Sequence, residues 1–356
     1  MSSIESYPHL KFKYSNGLQV LRGLAALMIV FLHLGVAEAR YGTLFGMKFL
    51  EGFRLGAAGV DIFFVISGFV MVLVTRNKLV TPVRFLAHRL SRIYPNYWVY
   101  FLLVTLTWMI RPEWVNSSLA GTPDFLSSLV LLPSRGVPAV SVAWTLEFEI
   151  FFYLVFALLL WISRARVATT VALTMSVLVL LGVLFQPANI ILERITHPLI
   201  LEFAAGAYLG QFMLYKRVPY TVLMLPLSLL IFTLHQFGFE LADFLHLGED
   251  FERVINFGIP AVLLVLGVVA LDMRYDIKYP RLLINIGNAS YTLYLSHILL
   301  ISAAGKLWSS LGLNNHLSNL IFDIILLLAC VVYALLAYVY IEKPLLKRTR
   351  KFLMNV

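Results

Sequence analysis

Ten stretches of this chain are apolar over roughly the length of a membrane-spanning helix, and this feature limits the fold more than any other. At a rise of 1.5 Å per residue, a helix of about 20 apolar residues crosses a hydrocarbon layer about 30 Å thick. The stretches are Leu18–Ala37, Leu55–Thr75, Ile93–Ile110, Val140–Trp161, Val167–Phe185, Ile195–Leu214, Tyr220–Gly238, Arg253–Leu271, Ile284–Ala303 and Leu317–Ile341. We therefore predict an all-α, polytopic membrane protein with about ten transmembrane helices.

The composition excludes a water-soluble globule. Of the 356 residues, 60% are apolar and 13% are charged, whereas soluble domains have about 45–50% apolar and about 25% charged residues. Such an apolar surplus needs the lipid bilayer as its solvent. The single cysteine, Cys330, can form neither an internal disulfide nor a zinc cage, so we predict no redox role and no bound metal.

The basic residues predict the orientation of the chain. The formal net charge is +9, but lysine and arginine come in short clusters between the apolar stretches, which is typical of membrane topology and not of nucleic-acid binding. If the N-terminus is cytoplasmic, 19 of the 28 basic residues lie on the inner side. Both termini are therefore predicted to be cytoplasmic.

One domain is expected over residues 1–356, with a cytoplasmic segment 1–17, a transmembrane bundle 18–341 and a basic cytoplasmic tail 342–356. The first stretch ends in Ala37-Glu38-Ala39, like a signal peptide, but it is too long for a signal core and further spans follow it. The apolar segment Phe125–Leu132 is too short to span and is predicted to be interfacial or re-entrant on the outer side.

Ionisable residues inside a span are costly and mark a functional site or a buried pair. Arg22 and His33 lie eleven residues apart on the first predicted helix, so they share one face about 16 Å apart along the axis. Asp61 on the second helix and His297 on the ninth are expected at nearly the depth of His33. Asp61 could orient His33 and raise its basicity, or it could form a structural ion pair.

Two further pairs of charged residues come from the third and fourth predicted helices. Glu147 and Glu149 are two residues apart, about 200° around a helix, so they point to opposite faces and cannot form a carboxylate dyad. Arg89 and Arg92 lie one turn apart at the cytoplasmic end of the third helix. Two guanidinium groups with this spacing suit a phosphate or pyrophosphate. The alternative is that they only fix the orientation of the chain in the membrane.

These residues describe a site that opens to the cytoplasm through arginines and reaches a histidine and a carboxylate midway through the bilayer. The layout fits an enzyme that uses a soluble, phosphate-bearing donor. It also fits a transporter or flippase for a sugar derivative, because carriers couple transport to ionisable residues near the midplane. The residues alone leave both functions open.

A resemblance to a known family favours the enzyme. The motifs that carry it are Arg22-x10-His33, the stretch Gly59–Phe69, Arg89-x-x-Arg92 followed by Ile-Tyr-Pro-x-Tyr-Trp, Trp144-Thr-Leu with Glu149, Ser290-Tyr-x-Leu-Tyr-Leu-x-His297 and Ile341-Glu-Lys-Pro344. In this order, over nearly the whole chain, they resemble the integral membrane acyltransferase family 3. Within that family the chain is most similar to bacterial exopolysaccharide and O-antigen O-acetyltransferases.

The resemblance implies an O-acyltransferase of the bacterial inner membrane. It would move an acetyl group from cytoplasmic acetyl-CoA, a co-substrate and not a bound cofactor, to a hydroxyl of a polysaccharide or a lipid-linked oligosaccharide. We expect His33 to act as general base or transient acyl carrier, with Asp61 orienting it. Glu149 and His297 are expected to support the site, while the donor is expected to bind to three arginines, Arg22, Arg89 and Arg92.

Overall fold

The computed structural model describes residues 16–42, 50, 52–76, 80–115, 121–162, 166–215, 221–245, 251–315 and 318–354. Nearly all of the predicted N-terminal segment 1–17 lies outside these residues. Because Lys11, Lys13, Lys48, Lys78, Arg164, Lys216 and Arg217 also lie outside them, the predicted orientation rests in part on residues that are not described.

The described chain is almost entirely helical. Its α-helices are α1 Asn16–Tyr41, α2 Ala58–Arg76, α3 Pro82–Ile110, α4 Phe125–Val130, α5 Trp144–Ile162, α6 Val167–Phe185, α7 Ile190–Ile195, α8 Ile200–Tyr215, α9 Met224–Gln236, α10 Leu241–Phe244, α11 Ile259–Arg274, α12 Arg281–Asn288, α13 Ser290–Ser310, α14 Asn319–Ala337 and α15 Lys343–Met354. Two short parallel strands, β1 Pro123–Asp124 and β2 Val137–Pro138, pair beside α4 with Pro123 opposite Val137.

Within the described residues, six helical segments are long and apolar enough to cross a membrane. They are Asn16–Tyr41, Arg54–Thr75, Ser141–Ile162, Val167–Phe185, Val254–Arg274 and Asn319–Leu353. The other four predicted spans correspond to α3, α8, α9 and α13. Helix α3 carries several charged residues and α9 has only 13 residues, so their passage through the bilayer, and the cytoplasmic termini, stay predictions.

Several predicted boundaries were wrong. The predicted third span began at Ile93, but α3 begins at Pro82, so Arg89 and Arg92 lie inside the helix. The predicted span Ile195–Leu214 is divided near Pro198 into α7 and α8, because the residue before a proline disfavours helical backbone. The basic tail is the helix α15, which follows α14 through a π-helical turn at Tyr338–Glu342.

The core of the bundle is closed by contacts between helices that are far apart in the chain. Helix α1 packs against α2, α12 and α13, while α3 packs against α5 and α15. Helices α2 and α8 pack very closely, because a Cβ atom on Gly206 would lie 2.0 Å from the carbonyl oxygen of Val65, and one on Gly68 would lie 2.0 Å from that of Phe203. Gly68 and Gly206 therefore allow the two backbones to approach each other.

Large apolar side chains also cover the outside of the bundle, as a lipid-facing surface requires. On α6 the exposed ones include Leu173, Val177, Leu180 and Leu184. On α14 they include Ile324, Leu328, Val332 and Leu336, whereas Asp323 on the same helix is buried. The apolar surplus of the sequence is therefore divided between the core and the outer surface.

The short segment 125–132 forms the six-residue helix α4 and a left-handed turn at Leu131, and α4 packs against the middle of α3. Three aromatic side chains of α3 donate hydrogen bonds to its last carbonyl groups: Tyr97 Oη to Ser128 O at 2.6 Å, Tyr94 Oη to Val130 O at 2.8 Å and Trp98 Nε1 to Leu129 O at 3.0 Å. These bonds satisfy carbonyls that a short helix leaves free. The motif Ile-Tyr-Pro-x-Tyr-Trp thus holds α4 in place.

Candidate active site

Helices α1, α2, α3, α5 and α13 line a cavity with an empty volume of about 780 Å³, which includes the part that is open to the surroundings. Arg22 of α1, Arg89 and Arg92 of α3 and Glu149 of α5 all line it. Much of the remaining lining is apolar or aromatic. The structure thus brings together all three arginines that the sequence predicts to bind the donor, and Glu149 with them.

Arg22, Arg89 and Arg92 lie in the first half of their helices, and we call the part of the cavity that they line the arginine end. Arg22 is 9% exposed. The guanidinium carbon of Arg89 lies 6.0 Å from the ring centre of Phe85, within the range of a cation–π interaction. A long anionic ligand could bind its charged part here and extend an uncharged arm along the apolar walls.

Glu342 is a second carboxylate at the arginine end, and sequence reasoning did not select it as a site residue. It lies in the π-helical turn between α14 and α15, is 6% exposed and interacts electrostatically with Arg92 and Arg22. Thr292 Oγ1 donates to Glu342 Oε2 at 2.5 Å, and Asn96 Nδ2 donates to Thr292 Oγ1 at 3.1 Å. Its place in the motif Ile341-Glu-Lys-Pro344 was the signal that could have identified it.

Glu149 and Glu147 point to opposite faces of α5, as predicted. Glu149 Oε1 accepts hydrogen bonds from Ser67 Oγ at 3.2 Å and from Tyr153 Oη, so the carboxylate is held at the cavity wall. Glu147 Oε2 instead lies 3.2 Å from Arg194 Nε, outside the cavity lining. Of these two carboxylates, only that of Glu149 is placed to contact a ligand in the cavity.

His33 and His297 contact each other, as their predicted common depth suggested. The rings meet edge to face with centres 4.9 Å apart, and His33 Nδ1 lies 3.2 Å from His297 Nε2. His297 is fully buried, whereas His33 is only partly buried. Nδ1 of His33 also lies 2.8 Å from the Ile29 carbonyl, and Nδ1 of His297 lies 3.1 Å from the Leu293 carbonyl.

These contacts determine which nitrogen carries the proton when each ring is neutral. A carbonyl oxygen only accepts hydrogen bonds, so Nδ1 of each histidine must carry the proton. His297 Nε2 is then an acceptor, and the Nδ1–H group of His33 is shared between it and the Ile29 carbonyl. The unprotonated nitrogen of His33 is therefore Nε2, which is the atom that a general base needs.

Tyr294 lies between the cavity and the two histidines. It lines the cavity, and its ring centre lies 6.0 Å from that of His297. Its hydroxyl is fixed at 2.7 Å from both the Val142 carbonyl and Thr145 Oγ1. Tyr294 is thus the residue of the cavity wall that connects the cavity with the histidine pair.

The predicted contact between Asp61 and His33 was wrong. Asp61 binds Arg253 through two hydrogen bonds, Nε to Oδ1 at 3.1 Å and Nη2 to Oδ2 at 2.9 Å, and it is fully buried. The alternative of a structural ion pair is the one that the structure contains. The sequence predicted the depth of Asp61, but it could not predict which neighbouring helix would face that residue.

The Asp61–Arg253 pair belongs to a larger buried cluster that the sequence did not reveal. Glu202 of α8 lies beside Asp61 and is 1% exposed. A Cβ atom on Gly258 would lie 2.8 Å from Glu202 Oε1, so glycine makes room for this carboxylate. The guanidinium carbon of Arg253 also lies 5.5 Å from the ring centre of Trp144. Glu202 is an ionisable residue inside an apolar stretch, and that was the available signal.

Within the described residues, no three side chains of the metal-ligating types gather closely enough to hold an ion. The groups that the described structure places in or beside the cavity include the histidine pair, the arginine end and the carboxylate of Glu149. Together they offer a base, an anion-binding surface and a largely apolar cavity wall.

Comparison with known proteins connects this arrangement to a family. The profile of the family described as "Acyltransferase domain" matches residues 15–339. The exopolysaccharide production protein ExoZ of Rhizobium meliloti (strain 1021) is 35% identical over 312 residues, which cover 84% of this chain and 92% of that protein. The acyltransferase MdmB of Streptomyces mycarofaciens is 30% identical over 152 residues, 41% of this chain and 38% of that protein. No solved structure matches the chain significantly.

Proposed function

Because this chain belongs to the membrane acyltransferase family whose domain it matches over residues 15–339, and is therefore an O-acyltransferase, we propose that its donor is acetyl-CoA. We propose further that the acceptor is a hydroxyl group of a cell-surface or lipid-linked polysaccharide, and that the enzyme works in the bacterial inner membrane with both termini in the cytoplasm. The name of the Rhizobium relative, an exopolysaccharide production protein, supports a polysaccharide acceptor.

The observation that carries the proposal is the cavity that the three arginines line, with Tyr294 in its wall and the histidine pair next to that tyrosine. The phosphates of CoA would bind to Arg22, Arg89 and Arg92, because guanidinium groups bind phosphate through paired hydrogen bonds. The pantetheine arm would extend along the apolar walls and carry the thioester towards Tyr294. The arrangement thus suits a donor that is charged at one end and reactive at the other.

His33 would then act as general base. Its Nε2 takes the proton of the acceptor hydroxyl while the hydroxyl oxygen forms a bond to the thioester carbonyl carbon. The C–S bond breaks, CoA leaves as a thiolate, and the imidazolium returns the proton to that thiolate. His297 would orient His33 through the hydrogen bond between its Nε2 and His33 Nδ1. This orienting role is the one expected of Asp61 from the sequence.

The decisive experiment is a transfer assay with the purified protein in lipid nanodiscs. Addition of a polysaccharide acceptor should cause release of free CoA from acetyl-CoA, together with a mass increase of the acceptor of one acetyl group per modified hydroxyl. His33→Ala should remove both signals at unchanged protein abundance. A protein that moves the glycan across the membrane without releasing CoA would be a transporter, and the proposal would be wrong.

A further inference from the structure

The side of α1 that carries Arg22 and His33 continues beyond the cavity. Val36 and Arg40 follow Arg22 by 14 and 18 residues, so both point to the same side of the helix within about 40°. Val36 is 56% exposed and Arg40 is exposed, whereas His33 is partly buried. Beyond His33, this side of α1 is therefore accessible.

Helix α13 shows the same change from buried to accessible along its cavity side. Tyr291 and Tyr294 line the cavity. Ser302 follows Tyr291 by 11 residues, about 20° around the helix, and Lys306 lies one turn further. Ser302 and Lys306 are partly exposed, whereas residues 292–297 are buried. The cavity sides of α1 and α13 thus lead past the histidine pair to an accessible end.

The packing of α1 shows why this end is accessible. Gly56 lies in the turn before α2 and packs against Leu32, with no room for a Cβ atom. Helix α2 therefore begins near the depth of His33, and the last two turns of α1 extend beyond it. At the end of α1, the ring of Tyr41 packs against Gly305 of α13 in the same way. Helices α1 and α13 thus stay side by side beyond the start of α2.

Three side chains lie at this accessible end, and we call them the Trp114 cluster: Arg40, Trp114 and Lys306. Lys306 Nζ donates a hydrogen bond to the Trp114 carbonyl at 3.1 Å and lies 5.3 Å from the centre of the Trp114 ring. The guanidinium carbon of Arg40 lies 5.3 Å from the ring centre of Tyr41. That ring packs against Gly305, the neighbour of Lys306 in the chain. The cluster thus presents two cations and a tryptophan that is 55% exposed.

The chemistry of the Trp114 cluster suits an acidic glycan. An exposed indole offers a flat apolar surface to a sugar ring, and its N–H group can donate to a sugar hydroxyl. Arginine and lysine bind the carboxylate of a sugar acid through charge-assisted hydrogen bonds. Tryptophan and basic residues also occur where a membrane protein meets lipid headgroups. The glycan is favoured because Arg40 and Lys306 lie on the helix sides that lead to the histidine pair, a position that an acceptor needs and a lipid does not.

We propose that Arg40, Lys306 and Trp114 bind the acceptor of the transfer reaction, and that this acceptor is a glycan with carboxylate groups. A sugar ring packs on Trp114, and a carboxylate binds to Arg40 and Lys306. Because Arg40 lies seven residues from His33, about 10 Å along α1, a hydroxyl further along the same glycan reaches Nε2 of His33. This inference rests on the proposed function and extends it, since it gives the acceptor its charge and its binding site.

The test compares one acceptor in two forms. Exopolysaccharide from cells that produce the protein is deacetylated with alkali, and half of it is reduced at its carboxyl groups to a neutral glycan. In nanodiscs of neutral lipid with acetyl-CoA, the wild type should have the lower KM for the acidic form. Arg40→Gln and Lys306→Gln should each raise that KM about tenfold, as expected for loss of one charge-assisted hydrogen bond. The KM for the neutral form and for acetyl-CoA should stay unchanged.

Substitutions of Trp114 should act on both forms of the glycan. Trp114→Ala should raise the KM for each form about tenfold through loss of the aromatic surface, and Trp114→Phe should retain most of the affinity. Arg135→Gln is the matched control for the two cations, because Arg135 is also exposed but binds the Ala188 carbonyl near α7. This control should change no KM.

Chemical labelling determines whether water or lipid covers this end of the bundle. Cys330 is the only cysteine, so Cys330→Ser provides a background for Val36→Cys. A water-soluble maleimide should label Val36→Cys in nanodiscs, and the acidic glycan should protect it while acetyl-CoA does not. Leu328→Cys in the same background is the control, since Leu328 is 57% exposed on the lipid-facing side of α14 and should stay unlabelled.

Equal wild-type KM values for the two forms of the glycan, or unchanged values in Arg40→Gln and Lys306→Gln, would overturn the proposal. If Val36→Cys stays unlabelled as Leu328→Cys does, lipid covers this end, the Trp114 cluster binds headgroups and the acceptor assignment is wrong. The proposed function can fail separately. Protection of Val36→Cys by the glycan without any release of CoA would refute acetyl transfer and support the binding site, whereas wild-type kinetics in all the variants of the cluster would refute the site and leave acetyl transfer standing.

Discussion

His33 on α1 and His297 on α13 are 264 residues apart in the chain, yet Nδ1 of the first lies 3.2 Å from Nε2 of the second. We expect His33→Ala to lower kcat about 10²–10⁴-fold, the usual contribution of a general base. His297→Leu removes the acceptor of the shared Nδ1–H and should lower kcat about tenfold through loss of one oriented hydrogen bond. His297→Gln, which keeps an acceptor oxygen, should retain more activity than His297→Leu.

Steady-state transfer assays at saturating acetyl-CoA measure these effects, and the KM for acetyl-CoA should stay unchanged because neither histidine lines the cavity. Equal kcat values for the wild type and His297→Leu, at equal abundance, would show that His297 has no part in orienting His33.

The Asp61–Arg253 pair should support folding and not catalysis. Arg253→Ala leaves the buried carboxylate of Asp61 without its partner, so we expect a loss of about 3–5 kcal/mol of stability. The thermal midpoint in detergent and the abundance in membranes should fall, while the activity of each folded molecule should change little. Asp61→Asn should behave in the same direction. A variant at either position that folds fully and loses activity as His33→Ala does would restore Asp61 to the catalytic site.

Glu342 compensates the charges of Arg22 and Arg92 before the donor binds. Glu342→Ala should therefore lower the thermal midpoint of the protein without donor, because the buried Arg22 and the partly buried Arg92 lose their nearby carboxylate. Saturating CoA should then raise the midpoint more in the variant than in the wild type, since the phosphates replace the missing negative charge. Glu147→Ala is a suitable control because that carboxylate pairs with Arg194. Equal stabilisation by CoA in the wild type and Glu342→Ala would contradict this account.

The glycines between α2 and α8 set how closely these helices pack. In Gly206→Ala the new Cβ would lie 2.0 Å from the Val65 carbonyl oxygen, so the backbones must separate. We expect a loss of about 3 kcal/mol or more, at the upper end for overpacking. Gly210→Ala is the matched control, because its Cβ would lie 3.0 Å from the Phe69 carbonyl oxygen and needs a smaller shift. Thermal unfolding of both variants in the same detergent gives the comparison; equal losses would show that the contact at Gly206 is not limiting.

The sequence by itself determined that the solvent of this protein is the lipid bilayer and that its secondary structure is helical. Apolar runs of spanning length permit only a helical bundle in lipid, since every backbone group in a spanning segment must be bonded within it. The spacing of Arg89 and Arg92, and the opposite directions of Glu147 and Glu149, followed from the geometry of one helix. Each of these properties is local, so a pattern of neighbouring residues is enough to predict it.

The tertiary structure alone decided which side chains meet. The depth of a residue in the membrane can be counted along its helix from the sequence. This count predicted that His33, His297 and Asp61 lie at nearly the same depth. The rotation of each helix about its axis, however, depends on packing between segments far apart in the chain. That packing turned His297 towards His33, paired Asp61 with Arg253, and brought Glu342 from the C-terminal helical region to Arg22 and Arg92.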